Sequence, residues 1–597
     1  MKLFRSPAIL LILPLGFAIS CGGGSSRPEG SSQAPAVVTE PYELEETGEF
    51  DPIASDLAIK GGTFTTWAGG YPKSLNMWLD YNAFSKQICE MLFEGLVGLH
   101  PTENRPVGVL AESWEVSEDM MTFRYKIHES ATWSDGTPIT ARDIQFYYDT
   151  IMNPENLTSL FRVSLSRFDR PEIIDEKTVS ITANEPHWVN FWTASGMTAF
   201  PAHLWEGKKF NEINFEFGAV SGPYDLYEIK TNRLISLQRR GDWWGRSLKI
   251  NQYKYNFDYL RFRSMEDRVK ALESLKRGDF DLYPIYTSRI WAQQTRFDQV
   301  KKNWVVRQTV YNQEPKGFQG FAINMREEKF GDVQVRRALS HLLNREMMLE
   351  KIMFNEYFLL NNFYPDLYPN NLNPDAELTA YNPLQARELL TAAGWNVNDQ
   401  GILEKDGEPL EVTMLYHGTP LPQITIYLED LKKVGIDAKL DVVSLATYRK
   451  RLDRHEFDLA WQNWSATRLR DPEPMWHSKT ANQVASQNLS GVESDEIDTL
   501  IEKQKTIHDI DQRNDILKEI DRLLVEIHPY VLLWQSDRHR LLYWNRYGTP
   551  EYVLDQFNRE DYATTYWWLD PEKSERLDKA LSTNQPLEAE PEEVHFQ

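Results

Sequence analysis

Residues 109–149 read VLAESWEVSEDMMTFRYKIHESATWSDGTPITARDIQFYYD and commit the chain to a strand, a turn and a helix in close succession. Thr122, Arg124 and Lys126 alternate with Phe123, Tyr125 and Ile127, the period-2 pattern of a half-buried strand. Ser134-Asp135-Gly136-Thr137-Pro138 dictates a turn, because Gly tolerates positive φ and Pro presets its own. Thr140 then stands at an N-cap with Asp143 in the capping-box position, and Ile144, Tyr147, Tyr148 and Ile151 share one helical face. What these residues specify on their own is architecture.

The same segment resembles the signature of the bacterial extracellular solute-binding proteins of family 5, the peptide, opine and nickel receptors of ABC importers. Leu110-Ala111-x-Ser113-Trp114, the alternating strand, and Trp133-Ser134-Asp135-Gly136-x-Pro138-x-Thr140-Ala141-x-Asp143 carry the likeness. It continues through Ser221-Gly222-Pro223-Tyr224, through Phe321-Ala322-Ile323-Asn324 and residues 332–339, and through Tyr381-Asn382-Pro383 to Ala393-Gly394-Trp395. Gly394 there suits the left-handed C-cap of a helix. Gly241-Asp242-Trp243-Trp244-Gly245, Tyr255-Asn256-Phe257-Asp258 and Ser288-Arg289-Ile290-Trp291-Ala292 are similar to the Yej-type branch, associated with oligopeptides and microcin C.

The resemblance implies an α/β chain in the two-lobed periplasmic-binding-protein type II fold, with three domains and a hinged ligand cleft. Lobe 1 is expected at residues 58–316 plus 530–580, with 86–221 as an inserted second domain, and lobe 2 at 317–529. The crossings are expected near 317–324 and 530–534. The implied function is capture of an oligopeptide or modified peptide and its delivery to an ABC permease and ATPase complex. The alternatives are a nickel chelate, haem, an opine or an oligosaccharide on the same scaffold, or a periplasmic hydrolase.

Residues 457–476, FDLAWQNWSATRLRDPEPMW, are the candidate ligand wall. Phe457, Leu459, Trp461 and Asn463 alternate with Asp458, Ala460, Gln462 and Trp464, so a strand here points Trp464 away from the apolar face. Asn463, Thr467, Arg468, Arg470 and Asp471 surround the aromatics with hydrogen-bonding groups, as in a mostly apolar pocket with a few placed polar groups. Peptide-binding relatives hold a free amino terminus with an aspartate in this loop, and the matching position falls on Thr467 or Arg468, neither acidic. A cleft-facing Arg468 favours a carboxylate or phosphate, since guanidinium is a fork of donors. The ligand is then anionic or blocked at its amino end, or its amine is held by another acid such as Asp471. Trp461, Trp464, Thr467, Arg468, Asp471 and Tyr224 are thus the expected ligand-binding residues.

Lys2 and Arg5 precede an apolar run from Ala8 to Ile19, too short for a spanning helix but suited to a signal peptide. Ala18-Ile19-Ser20-Cys21 followed by Gly and Ser resembles a lipobox, which implies lipidation of Cys21 and a mature chain beginning there. Residues 1–21 are accordingly read as a lipoprotein signal peptide, 22–57 as a disordered linker and 581–597 as an acidic tail. The lipid is then the one membrane contact, and the expected location is the periplasm or cell surface.

The formal net charge of -23 argues against nucleic acid as a partner, although much of it is local to residues 40–56 and 588–593. Cys89 has no partner for an internal disulfide once Cys21 is modified, and its apolar setting predicts an inert buried thiol. There is no Walker loop, H-E-x-x-H or G-x-S-x-G, and His128-Glu129 and His455-Glu456 lack the second His of a zincin. A monomeric binding protein with no catalytic residue, metal or cofactor is the expectation.

Overall fold

The strand Gln319–Ile323 divides the molecule, because the chain enters a second sheet there after leaving a first. In the computed structural model, which describes residues 48–596, that first sheet has eight strands. Their order is Glu593–His595, Val305–Tyr311, His539–Trp544, Leu282–Pro284, Thr63–Trp67, Tyr259–Arg263, Leu234–Arg239 and Tyr224–Lys230. Thr63–Trp67 lies parallel to Tyr259–Arg263 in the register Thr63 to Tyr259, while most other pairings are antiparallel. The second sheet has five strands in the order Asp437–Val443, Glu411–His417, Leu459–Asn463, Gln319–Ile323 and Tyr530–Leu532. The chain crosses between the sheets at 312–318 and 533–538, a few residues from the expected crossings.

Both faces of the second sheet are covered. Phe321, Ile323, Val412, Met414 and Leu459 pack into one apolar layer, and Ala322, Leu415, Ala460 and Tyr530 into another. Full burial of such a Phe or Leu side chain contributes about 1.5–3 kcal/mol, so the alternation is enforced on each face separately.

Between Thr63–Trp67 and Tyr224–Lys230 sits a further domain with its own sheet, Ala111–Val116, Thr122–Ile127, Thr178–Thr182 and Glu172–Ile173. Thr122–Ile127 alternates buried and open as the sequence demands. The Asp143 carboxylate accepts from the Thr140 backbone N–H at 2.8 Å, capping the helix Ala141–Met152, and from Ala202 N–H at 3.0 Å. Cys89 is buried, its thiol 3.0 Å from the Leu75 carbonyl oxygen, and burial pushes its pKa up to about 12.

Two expectations about the chain ends need correction. The signal peptide, Cys21 and most of the expected linker lie outside the described residues, but 48–57 are not a free leash. Asp51 is 4% exposed, accepts from the Tyr566 hydroxyl at 2.9 Å and pairs with Lys254 at 3.1 Å. At the other end the acidic tail is seated: Glu593–His595 adds to the edge strand Val305–Tyr311, with Thr309 opposite Glu593. Glu590 pairs with Lys573 at 2.9 Å and Glu592 with Arg296 at 3.2 Å, so local cations take up the charge that the composition suggested was solvated. Among the described residues no helix is long and apolar enough to cross a membrane.

Candidate functional site

The two lobes meet along two rows of contacts. In the first, the loop after Leu459–Asn463 reaches the inserted domain. Arg468 donates to the carbonyls of His100 and Glu103 at 2.8 and 3.1 Å, and its guanidinium lies 4.3 Å from the Phe557 ring centre. Burial lowers its pKa to about 10. Further along, the His187 Nε2 stands 3.8 Å from Asp471 and 3.5 Å from Glu473. Trp188 donates its backbone N–H to Lys505 at 2.8 Å and its indole N–H to Gln504 at 2.6 Å, with the Arg513 guanidinium 3.8 Å from its ring centre.

The second row joins the main lobe-1 sheet to residues 353–357. Arg540 and the Tyr357 hydroxyl both donate to the Tyr286 carbonyl at 3.2 Å, and Arg540 stands 3.6 Å from Glu356. Between the rows run the two crossings. His539 links them to the lobe-1 wall, 3.3 Å from Glu314 and 3.1 Å from Glu560. Gly317 is forced at this point, since a Cβ there would sit 1.7 Å from the Trp464 carbonyl oxygen.

The segment 555–562 spans the space from one row to the other, because Phe557 lies under Arg468 while Glu560 accepts from the Tyr286 hydroxyl. This stretch is the candidate lobe-1 wall of the cleft. Asp561 sits in it with a buried Oδ1 that has no hydrogen-bond partner. Burial first and the neighbouring Glu560 charge second push its carboxyl up to about 7, against the pull of Arg559. Glu560 goes the other way: burial would raise it, but His539 and Arg559 hold its carboxyl well below the usual range. Lys86 and Glu90, an ion pair on the helix Ala83–Leu92, are near enough to bias Asp561 electrostatically.

The residues expected to bind ligand are distributed differently from that expectation. Tyr224 is fully buried in the lobe-1 core with its hydroxyl donated to the Phe257 carbonyl at 3.0 Å, so it is an architectural residue and not a cleft one. Trp461 packs half-buried against one apolar layer of the second sheet. Trp464 lies half-buried against the other layer and donates its indole N–H to the Tyr530 hydroxyl at 3.1 Å, so that face carries core packing of its own. Thr467 is exposed and bonded to the Leu469 carbonyl at 2.8 Å. Arg468 and Asp471 are brought to the interlobe contact, where both face lobe 1.

His187, Asp471 and Glu473 form the one grouping among the described residues with a metal-like spread of ligand atoms, all within 4.8 Å. The chemistry fits an ion-pair knot better. The His187 Nδ1 accepts from the Val189 N–H at 3.1 Å, and its Nε2, buried without a hydrogen-bond partner, faces the two carboxylates. Burial would raise Glu473, but His187, Lys479 and Lys505 hold it far below the usual carboxylate range. Asp561, Glu560, His187 and Trp188 went unmarked in the sequence. Arg559-Glu560-Asp561 reads there as an ordinary charged turn, and only the fold sets it beside Tyr286, His539 and Glu314.

Residues 105–486 match the family model described as bacterial extracellular solute-binding proteins, family 5 middle. The chain is 25% identical to the Escherichia coli K12 protein YejA over 96% of this chain and 99% of that one. It is 22% identical to the probable peptide-binding protein YejA of Agrobacterium fabrum over 86% and 90% respectively. Among solved structures it is similar to the oligopeptide-binding protein AppA of Bacillus subtilis, in complex with a nonapeptide. The TM-score is 0.69 at 21% identity, covering 86% of this chain and 99% of that one.

Proposed function

This chain belongs to the bacterial extracellular solute-binding proteins of family 5, and from that premise we propose that it captures oligopeptides or modified peptides in its interlobe cleft for an ABC importer. The observation that carries the reading is the Asp561 Oδ1, buried without a hydrogen-bond partner in a segment that runs between two rows of lobe contacts. A buried carboxylate oxygen with no donor is costly, and an ammonium group supplies the missing charge and hydrogen bond together. The amino terminus of a peptide is such a group. Arg468 no longer argues for an anionic or blocked ligand, since its guanidinium already serves two lobe-1 carbonyls. The likeness to a probable peptide-binding protein supports the peptide class.

Peptide backbone hydrogen bonds of roughly 1 kcal/mol each, with side-chain burial, reach the ~8 kcal/mol of micromolar binding without sequence specificity. We read the protein as a monomer without catalytic function, held to a membrane through a lipid on Cys21. Titration calorimetry with a pool of short peptides tests the reading. N-terminal acetylation and Asp561→Asn should each weaken binding at least tenfold, about 1.4 kcal/mol. Equal affinity for free and acetylated peptides overturns the role of Asp561, and preference for a glycan pool overturns the peptide class.

A further inference from the structure

A cavity of about 440 Å³ opens in lobe 2, away from the interlobe rows. Its inner wall is the strand Tyr530–Leu532, its sides include the helix Val333–His341 and the end of Ile510–Ile527, and Leu360, Phe363 and Leu389 line it with hydrocarbon. Its arginines have no acid partners among the described residues. Arg345, 3% exposed, is held by the carbonyls of Leu360 and Thr379 at 2.6 and 3.0 Å and forms no ion pair among the described residues. Arg336, buried directly behind, is likewise bonded to the carbonyls of Ile527 and Phe330 and to no acid.

Arg337 lines the cavity with neither a hydrogen bond nor an ion pair among the described residues. Beside it is His528, whose Nδ1 is buried without a partner. The backbone of His528 is left-handed, at φ 55°, as the cap of Ile510–Ile527. That conformation is uncommon for a residue with a Cβ, and it turns the chain so that the ring lines the cavity. Burial first, and then Arg337, pushes its pKa down to about 4, so the ring is neutral near pH 7. The acids that reach the mouth do not neutralise this wall: Asp375 and Glu377 are exposed, and Glu526 is paired outward with Arg522 at 2.7 Å.

We propose that this cavity is a second ligand site, distinct from the interlobe cleft, for a small carboxylate-bearing molecule with an apolar body. Its carboxylate is held by the Arg337 guanidinium and by the His528 ring, and its body lies against Leu360, Phe363 and Leu389. A carboxylate matches the guanidinium fork, and an Arg337 without an ion-pair partner among the described residues favours it over a neutral isostere. The volume is in the range of small-molecule sites and suits a ligand of benzoate size or somewhat larger.

The full chain is titrated with 4-fluorobenzoate and, separately, with the neutral 4-fluorobenzamide, followed by fluorine NMR. Saturable binding of the benzoate is expected, at least tenfold tighter than the benzamide, unchanged by the peptide pool, and weakened at least tenfold by Arg337→Gln. Histidine NMR provides a readout independent of any variant: the His528 titration should move upward when the benzoate is bound. No saturable benzoate binding, equal binding of the benzamide, competition by peptides, or a His528 titration that stays in place each overturns the site.

Discussion

Asp561 is the residue at which stability and the proposed function pull in opposite directions. Its carboxyl is raised to about 7, with burial the first cause, so at intermediate pH the folded chain holds a proton that the unfolded chain has released. Stability from this group therefore falls as pH rises: the cost is absent below the usual carboxylate pKa and complete above about 7. Asp561→Asn keeps the shape and removes the charge. Without ligand it should raise the Tm by about 2 °C or more at pH near 8, and the gain should shrink as the pH is lowered towards 5. A thermal melt series at several pH values checks this, and a gain independent of pH would mean that the carboxylate carries no such burden. The same substitution is expected to weaken peptide binding, so a variant more stable but worse at binding is the signature of a charge kept for its ligand.

At the level of elements, the C-terminal strand Glu593–His595 protects an edge. It pairs in parallel with Val305–Tyr311, and Gln308 reaches the Pro591 carbonyl at 2.9 Å while Asn303 reaches that of Leu587 at 2.9 Å. Deleting residues 588–597 exposes a row of unpaired backbone groups on an eight-stranded sheet. The expected result is a loss of roughly 2–4 kcal/mol, taking about 1 kcal/mol per hydrogen bond, with new concentration-dependent oligomers. Urea unfolding with analytical ultracentrifugation measures both, and an unchanged midpoint with a monomeric truncated chain would show the strand to be incidental. This element was hidden in the sequence because Glu588 to Glu593 has the composition of solvated tail, while its partners Lys573 and Arg296 lie elsewhere in the chain. The capped helix Ala141–Met152 and the strand Thr122–Ile127 were legible for the opposite reason, since capping and alternation act over a few residues. In the loop of 464–471, alternation cannot tell an open wall from a face that packs on a second core layer, and Trp464 lies half-buried against that layer. Tyr224 shows the same limit: its neighbours mark a turn, and only the completed sheet buries it.

For the whole molecule, the rows of contacts between the lobes set how much closure costs. Trp188 is instructive because it docks on Lys505, Gln504 and Arg513 through the inserted domain, well along the first row from Asp561. If such contacts exist in the closed form alone, they act as part of the binding energy without touching the ligand, and the apparent Kd rises as the closed population falls. Removing the indole hydrogen bond and the cation–π contact costs the closed state about 1–3 kcal/mol, on the order of a ten- to hundredfold change in that population. Trp188→Ala should therefore weaken peptide binding by about tenfold or more and raise the radius of gyration of the ligand-free protein in X-ray scattering. Saturating peptide should restore the wild-type radius, because the ligand still favours closure by its own contacts with both lobes. Arg468→Ala, at the other end of the same row, should behave alike, since it also removes lobe-to-lobe bonds. Unchanged affinity and an unchanged radius in both variants would show that the row is a passive surface and that closure is governed by the crossings at 312–318 and 533–538 alone.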